Sequence, residues 1–205
     1  MPKSEGLLPK NWPSNIPYLT APCYAQTITE THFPALRSRP GDAQDIPPNT
    51  PKGPCSIVKI TPITSTTHPA CGQFGLFAAR DLKAGTFILQ YLGEIHAPPL
   101  DMGTALDTHA KSDYDLSLDR ERGIGIDADR KGNEARFIND YRGIAERPNA
   151  EFKEVWDDRR KERGMGVWVL GEGKSGKGKG VKKGEEILVS YGRGFWGARK
   201  TGEVG

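Results

Sequence analysis

The chain has 205 residues and a formal net charge of +3, a length that suits one domain with a tail or at most two small domains. The charge permits an acidic partner such as nucleic acid without requiring one. Three cysteines, Cys23, Cys55 and Cys71, are too few and too scattered for a disulfide framework, and without a C-x-x-C pair we expect no zinc or other metal site. The sequence has no apolar run of membrane-spanning length and no apolar signal core, so we expect a nuclear or cytoplasmic protein without membrane contact.

The first 55 residues differ in composition from the rest of the chain. They hold eleven of the sixteen prolines and show no sustained helical or alternating period. We therefore predict an extended, proline-rich N-terminal arm over residues 1–55 that buries little apolar surface. Residues 56–197 are long enough to form one domain with a core, and residues 198–205 are predicted to be a tail.

Short strands separated by turns are predicted from residue 56 onward. The predicted strands cover residues 56–64, 75–79, 86–91, 114–118, 123–127, 150–156, 164–170 and 185–191. The charged stretch 157–163 predicts the turn of a hairpin. One short helix is predicted over 100–110, and the Gly- and Lys-rich stretch 171–184 predicts a mobile loop. The balance indicates a mostly β fold with little helix.

Two motifs in the second half of the chain carry the functional signal. Residues 132–139 read Gly-Asn-Glu-Ala-Arg-Phe-Ile-Asn, and residues 185–192 read Glu-Glu-Ile-Leu-Val-Ser-Tyr-Gly. Other landmarks precede or separate them in order, namely Gly-Leu-Phe-Ala-Ala-Arg at 75–80, Tyr-Leu-Gly-Glu at 91–94, Tyr-Asp-Leu-Ser-Leu at 114–118 and Ile-Asp-Ala at 126–128. Together these segments resemble the SET-domain protein lysine methyltransferases over roughly residues 56–197.

The resemblance implies both a fold and a function. The fold is the SET-domain β-clip, built of short curved strands with a knot-like C-terminal crossing and little helix. The function is methyl transfer from S-adenosyl-L-methionine to the side-chain amine of a protein lysine, with histone as the default substrate class. Two alternatives stay open: a catalytically silent SET module that binds chromatin or proteins, and an unrelated all-β binding module with chance matches.

The resemblance also assigns a cofactor site. The residues that it assigns to S-adenosyl-L-methionine are Gln73, Phe74, Gly75, Tyr114, Arg136, Phe137, Asn139, Asp140, Tyr191 and Trp196. The plain alternatives are an ordinary turn at 72–75, a structural amide at Asn139 and a core tyrosine at Tyr114. The four dispersed histidines show no metal-like or triad-like spacing, and we assign them no role.

This chain departs from the family pattern at two places. Residues 72–75 read Gly-Gln-Phe-Gly, one residue longer than the family's Gly-x-Gly turn. After Asn139, Asp140 stands where the family has a histidine, and the Pro148-Asn149 pair comes four residues late. The insertion after Asn139 bears on the shape of the adenine pocket.

Tyr191 is the predicted catalytic residue, because the family's catalytic tyrosine follows an apolar strand and precedes a glycine in this way. By the same resemblance Tyr91, Val189 and Phe195 are predicted to line the channel for the substrate lysine. Val189 is smaller than the Phe or Tyr of several relatives, which predicts room for higher methylation unless another aromatic side chain fills the space. No cysteine-rich segment follows the final motif to close the channel, so the arm, the 171–184 loop or the substrate must close it.

A basic stretch runs from Lys174 to Lys183. It predicts weak contact with nucleosomal DNA by charge neutralisation, and a solvated loop is the alternative.

Overall fold

The computed structural model describes residues 8–98, 109, 111–171 and 179–192. The helical elements among these residues are short, α1 (Phe33–Leu36) and a 3-10 helix (Glu134–Phe137), which confirms the mostly β prediction. Neither helix has the length and hydropathy of a membrane-spanning segment. The strands in chain order are β1 (Cys23–Tyr24), β2 (Gln44–Asp45), β3 (Val58–Pro62), β4 (Phe74–Ala78), β5 (Phe87–Tyr91), β6 (Glu94–His96), β7 (Asp115–Asp119), β8 (Ile124–Asp127), β9 (Asn139–Asp140), β10 (Ala150–Asp157), β11 (Glu162–Val169) and β12 (Leu188–Val189).

These strands form four small sheets. Two have four strands, in the orders β1-β6-β8-β7 and β2-β10-β11-β5, and two have two strands, β3-β4 and β12-β9. Fully buried aliphatic side chains from several sheets, among them Leu76, Ile95 and Val167, belong to one core cluster. The short, separately paired strands place their ends close together, and the site described below lies among these ends.

The longest pairing is the predicted hairpin between β10 and β11, which ends with Asp157 opposite Glu162. Asp157 Oδ1 accepts hydrogen bonds from the main-chain N–H groups of Arg159 at 3.0 Å and Arg160 at 3.3 Å. An Asp side chain that binds the backbone two and three residues later stabilises a turn. The hairpin therefore turns within the predicted stretch 157–163, at residues 158–161, while Asp157, Glu162 and Arg163 belong to the strands.

The N-terminal arm differs from its prediction. Trp12, Leu36, Ala43 and Ile46 are buried, so the expectation that this segment buries little apolar surface is wrong. β1 pairs in parallel with β6, and β2 pairs in parallel with β10. Each pairing is only two residues long and the buried residues are isolated, so they leave no period in the sequence.

The C-terminal motif forms the crossing that the resemblance predicts. Strand β12 covers only part of the predicted strand 185–191 and pairs in parallel with β9, with Leu188 opposite Asn139. On its other side, the N–H of Asn149 donates to Leu188 O at 3.0 Å. The chain therefore passes between the two ends of the 139–149 loop. The predicted 100–110 helix apart from residue 109, residues 172–178 of the predicted 171–184 loop and the 198–205 tail lie outside the described residues.

Candidate active site

A cavity of about 520 Å³ lies at the end of the 3-10 helix, a volume typical of small-molecule sites. Most of the residues predicted to bind the cofactor line it, namely Gln73, Phe74, Tyr114, Arg136, Phe137, Asn139, Asp140 and Tyr191. Their side chains combine aromatic rings with a few converging polar groups, which is the usual composition of a cofactor site.

Gly75, the remaining described member of the predicted set, is buried in β4 and does not line the cavity. A Cβ at this position would lie 2.5 Å from Glu186 Oε1. The glycine therefore makes room for the Glu186 side chain. Gly72 lines the cavity and adopts a φ of +85°, a conformation that favours glycine, so the turn needs a glycine there.

The 3-10 helix is fixed by the two residues at its start. The side-chain amide of Asn133 accepts a hydrogen bond from Leu92 N at 3.2 Å and donates one to Gln90 O at 2.8 Å, which ties it to the end of β5. Glu134 is buried and accepts a hydrogen bond of 2.9 Å from the Tyr18 hydroxyl. Strand β5 and the N-terminal arm together hold the helix, so its last residues face the cavity in a set orientation.

Arg136 lies where the cavity is bounded by aromatic rings. Its Nε donates to Ala128 O at 2.9 Å and its Nη2 donates to Asp129 O at 3.2 Å. The guanidinium carbon lies 4.4 Å from the ring centroid of Tyr114 and 5.1 Å from that of Phe137, within cation–π range. The side chain is therefore held in place without a carboxylate partner among these contacts.

Asn139 is held by its amide nitrogen. Nδ2 donates to Glu186 Oε1 at 2.8 Å and lies 3.4 Å from Phe74 O. The second oxygen of Glu186 is 3.0 Å from His68 Nε2. Two residues that the sequence did not assign, Glu186 and His68, thus support a predicted cofactor residue.

Tyr191 is fixed at both its backbone and its hydroxyl. Its N–H donates to Asp140 Oδ2 at 2.7 Å, and its hydroxyl donates to Ile138 O at 2.6 Å. Burial raises the pKa of the Tyr191 hydroxyl above its usual value, and the nearby charge of Asp140 raises it further. The phenol therefore stays protonated at neutral pH and acts as a hydrogen-bond donor to the backbone.

Asp140, which stands in place of the family's histidine, carries its own counter-ion. It is buried, and Arg142 Nη1 lies 2.8 Å from Oδ2 and 3.1 Å from Oδ1. The N–H of Arg142 also donates to Oδ1 at 2.9 Å. A buried carboxylate is tolerated when it is paired and hydrogen-bonded, and here both conditions hold. The inserted residues after Asn139 thus supply the cation that this substitution needs.

A second cavity of about 240 Å³ adjoins the first. The residues that line both cavities are Asp113, Tyr114, Arg136 and Tyr191. Tyr91, predicted for the lysine channel, lines the second cavity and donates from its hydroxyl to Tyr114 O at 2.6 Å. Its ring packs edge-on against Phe152 with 5.6 Å between centroids. Burial raises the pKa of Tyr91 well above its usual value.

Val189, which was also predicted for the channel, does not join this group. Val189 is fully buried and is not among the residues that line either cavity. Phe195 and Trp196 lie outside the described residues. Phe152 instead supplies an aromatic ring to the second cavity.

Three residues that line these cavities or support a residue lining them were missed from the sequence, namely His68, Phe152 and Glu186. His68 lies in a Thr-, His- and Pro-rich loop and Phe152 in an ordinary alternating strand, and neither position carries a motif. Glu186 lies within the motif at 185–192, so the motif itself could have pointed to it. Among the described residues, no three His, Cys, Asp or Glu side chains are grouped as a metal site would require.

Comparison with known proteins agrees with this geometry. The family model described as SET domain matches residues 73–192. Histone-lysine N-methyltransferase EZH2 of Chaetomium thermophilum is 37% identical over 76 residues, which cover 34% of this chain and 5% of that protein. The H3 lysine-36 specific histone-lysine N-methyltransferase of Yarrowia lipolytica is 30% identical over 126 residues, which cover 61% of this chain and 15% of that protein.

A solved structure is also similar. It is a humanized mutant of the Chaetomium thermophilum Polycomb Repressive Complex 2 bound to an inhibitor, with a TM-score of 0.50 and 29% identity, covering 68% of this chain and 16% of that one. The chain thus spans less than a fifth of the length of these relatives. Since the family model matches more than half of its residues, the chain belongs to the SET-domain family.

Proposed function

We propose that this chain transfers a methyl group from S-adenosyl-L-methionine to the side-chain amine of a protein lysine. The observation that carries the proposal is the pair of adjoining cavities that share Tyr114, Arg136 and Tyr191. The larger cavity suits a cofactor, and the smaller one, with Tyr91 and Phe152 in its wall, suits the apolar stem of a lysine. Two ligands that enter from different cavities can then meet beside Tyr191.

The residues of the larger cavity fit this cofactor. When bound, S-adenosyl-L-methionine supplies a methyl group on a positively charged sulfonium. The aromatic ring of Tyr191 suits a neighbouring positive charge, because ring faces attract cations, whereas the rings of Tyr114 and Phe137 already face the Arg136 guanidinium. Gln73 and Asn139 supply polar groups, and the Asp140 carboxylate is already paired with Arg142. These residues would hold the cofactor.

The substrate lysine must lose a proton before its amine can attack. Making that amine neutral at pH 7 costs about 4–5 kcal/mol relative to its reference pKa. Burial in the smaller cavity lowers this cost because it disfavours the charged form, and the Arg136 guanidinium at the junction acts in the same direction, whereas the carboxylates of Asp113 and Asp115 in the same wall act against it. We infer that the proton leaves to solvent.

Tyr191 and Tyr91 orient the amine rather than remove its proton. Each hydroxyl donates to a main-chain carbonyl, of Ile138 and Tyr114 respectively. The raised pKa of each phenol keeps it protonated at neutral pH, so neither acts as a general base there. Their fixed positions favour catalysis by orientation and electrostatics.

The substrate class is proposed from similarity to histone-lysine N-methyltransferases. Histone is therefore the first substrate to test, and a nuclear location accompanies it. The weak contact of Lys174 to Lys183 with nucleosomal DNA is part of the same proposal. Of that stretch, Lys182 pairs with Asp81 at 3.2 Å, and residues 172–178 lie outside the described part of the chain.

Titration calorimetry with S-adenosyl-L-methionine tests the proposal first. We expect the wild-type chain to bind and Asn139→Ala to lose about tenfold or more in affinity, because a hydrogen bond to a charged ligand group is lost. Radiolabel transfer to histones and cell extract follows, with Tyr191→Phe as the inactive control. A folded wild-type chain that binds no cofactor would contradict the proposal and favour a silent interaction module.

A further inference from the structure

His68 and Glu186 lie beside the cofactor cavity and have no assigned role. The Nδ1 atom of His68 accepts a hydrogen bond of 3.0 Å from the N–H of Ala70. A neutral imidazole that accepts at Nδ1 carries its proton on Nε2. Nε2 therefore donates to Glu186 Oε2, which lies 3.0 Å away. The backbone of the loop thus selects the tautomer that binds the carboxylate.

Glu186, held by His68, in turn holds the side-chain amide of Asn139. Its side chain is only 8% exposed, and its Oε1 accepts from Asn139 Nδ2 at 2.8 Å. The absence of a side chain at Gly75 leaves the space that Oε1 occupies. Glu186 O also accepts a hydrogen bond of 2.7 Å from the amide of Asn149, so its backbone is held as well.

These contacts determine which end of the Asn139 side-chain amide faces the cavity. Both neighbours of Nδ2, Glu186 Oε1 and Phe74 O, are acceptors, so a reversed amide would place two acceptors against its oxygen. Such a contact between two acceptors is unfavourable for half-buried groups, because neither gains a hydrogen bond. Oδ1 therefore remains for the cavity, and within the described part of the chain it receives no hydrogen bond.

We propose that His68 and Glu186 are a positioning pair that turns Asn139 Oδ1 toward the ammonium group of the bound cofactor. This inference rests on the proposed function. Asn139 Oδ1 is an acceptor close to the carboxylate of Glu186, whose side chain is nearly buried. Because charges are weakly screened at such a site, a positively charged donor binds Oδ1 more strongly than a neutral hydroxyl does. The pair acts through Asn139 and does not itself touch the reacting atoms.

The test uses binding rather than turnover. The probes are S-adenosylhomocysteine and its analogue in which hydrogen replaces the amino group, titrated by calorimetry into the full chain. We expect the wild type to prefer the aminated ligand by about ten- to a hundredfold, and Glu186→Gln to lose most of that preference. A glutamine can donate as well as accept, so it permits either orientation of Asn139.

Substitutions of His68 test the same role without removing the carboxylate of Glu186. His68→Gln can still donate to Glu186 and is expected to keep the preference, whereas His68→Phe cannot donate and is expected to reduce it. His32 is a matched control, since its Nδ1 also accepts a backbone N–H, from Thr29 at 3.0 Å, and its ring has no carboxylate partner in the described structure. His32→Phe should leave the preference unchanged.

Equal weakening of both ligands in Glu186→Gln and His68→Phe would overturn the positioning role, because loss of structure does not discriminate the amino group. A wild-type chain that binds both ligands equally would also overturn it. Failure of the folded wild type to bind either ligand is a different result, since it overturns the proposed function and the pair with it.

Discussion

The hydroxyl of Tyr191 donates a hydrogen bond of 2.6 Å to the main-chain carbonyl oxygen of Ile138. Ile138 belongs to the first motif and Tyr191 to the second, so this bond joins two segments that are about fifty residues apart in the sequence. It lies where the two cavities meet, since Tyr191 lines both and Ile138 lines the smaller one. The position of the phenol is thus set by the fold before any ligand binds.

Tyr191→Phe is expected to lower the methyl-transfer rate by about a hundredfold or more, because one preorganised hydroxyl at a reacting centre has this effect. The affinity for cofactor should change by no more than about threefold. Ile138 O loses its donor, so the free energy of unfolding should fall by about 1–3 kcal/mol. Single-turnover assays, calorimetry and urea unfolding measure the three quantities.

Tyr141→Phe is the control for this prediction. Tyr141 follows β9 and lines neither cavity, and Arg142 stacks on its ring, which phenylalanine keeps. If Tyr191→Phe transferred methyl groups at the wild-type rate, Tyr191 would be structural.

The motif residues could be placed from the sequence because their contacts are local or belong to a fixed crossing. Arg136, Phe137 and Asn139 come from one turn of 3-10 helix and the strand after it, so their spacing alone brings them to one cavity. His68 could not be placed, because its partner Glu186 is 118 residues away and the loop between 63 and 73 has no period. Val189 was expected in the channel, and its burial beside β9 depends on the crossing rather than on its spacing from Tyr191.

Trp12→Ala tests whether the N-terminal arm supports the cofactor site. The indole packs edge-on against Phe137 and Tyr18, with ring centroids 5.7 Å and 5.0 Å away. Its removal should lower the free energy of unfolding by about 3–5 kcal/mol, as for other buried aromatic truncations. Because Phe137 loses a neighbour, cofactor affinity should also fall, by about three- to tenfold. Urea unfolding and calorimetry measure the two effects.

The matched control is Leu8→Ala, an apolar truncation in the same arm at a side chain that is 55% exposed. It should change neither quantity. A Trp12→Ala protein with wild-type stability would show that the arm does not pack on the 3-10 helix in solution.

The isolated contacts of the N-terminal arm also explain why its proline-rich composition predicted too little buried apolar surface. Proline-rich segments without a period usually bury little, and here a few single residues, Trp12 and Leu36 among them, account for the burial. Hydrogen bonds such as Leu19 N to Gly132 O at 2.7 Å hold the segment without forming a long strand. A pattern-based prediction has no signal for such docking.

Phe152→Ala tests whether Phe152, rather than Val189, limits the number of methyl groups that the substrate lysine receives. Phe152 lines the smaller cavity and packs against Tyr91, whereas Val189 is buried outside both cavities. Truncation should widen the channel and shift products toward higher methylation. Loss of the ring pair should also cost about 0.5–1.5 kcal/mol of stability. Mass spectrometry of a methylated peptide after fixed turnover measures the product states.

Phe87→Ala is the control, because Phe87 packs on Trp168 in the same sheet and lines neither cavity. It should leave the product distribution unchanged. Val189→Phe adds a ring to a filled core and is expected to destabilise by about 1–3 kcal/mol. If Val189→Phe altered the product distribution and Phe152→Ala did not, Val189 rather than Phe152 would limit the number of methyl groups.

Alkaline pH should destabilise the folded chain through its buried tyrosines. Burial is the largest cause of a raised pKa at Tyr18, Tyr24, Tyr91 and Tyr191, and it raises the pKa of Tyr24 to about 12. In the unfolded chain these groups titrate near 10.0. Above that pH the unfolded state loses protons that the folded state keeps, so their stabilising contribution, which is complete below pH 10, falls as pH rises through the folded pKa values.

Urea unfolding between pH 8 and roughly pH 12 measures this effect, and the midpoint should hold and then fall above about pH 10. Tyr24→Phe removes one titrating group that is bonded to Glu162. Its midpoint should therefore fall less steeply with pH than that of the wild type, although the variant starts from a lower stability. This comparison isolates Tyr24 from the lysines, which also titrate in this range. Parallel pH dependence in the two proteins would show that the Tyr24 hydroxyl titrates alike in the folded and unfolded states.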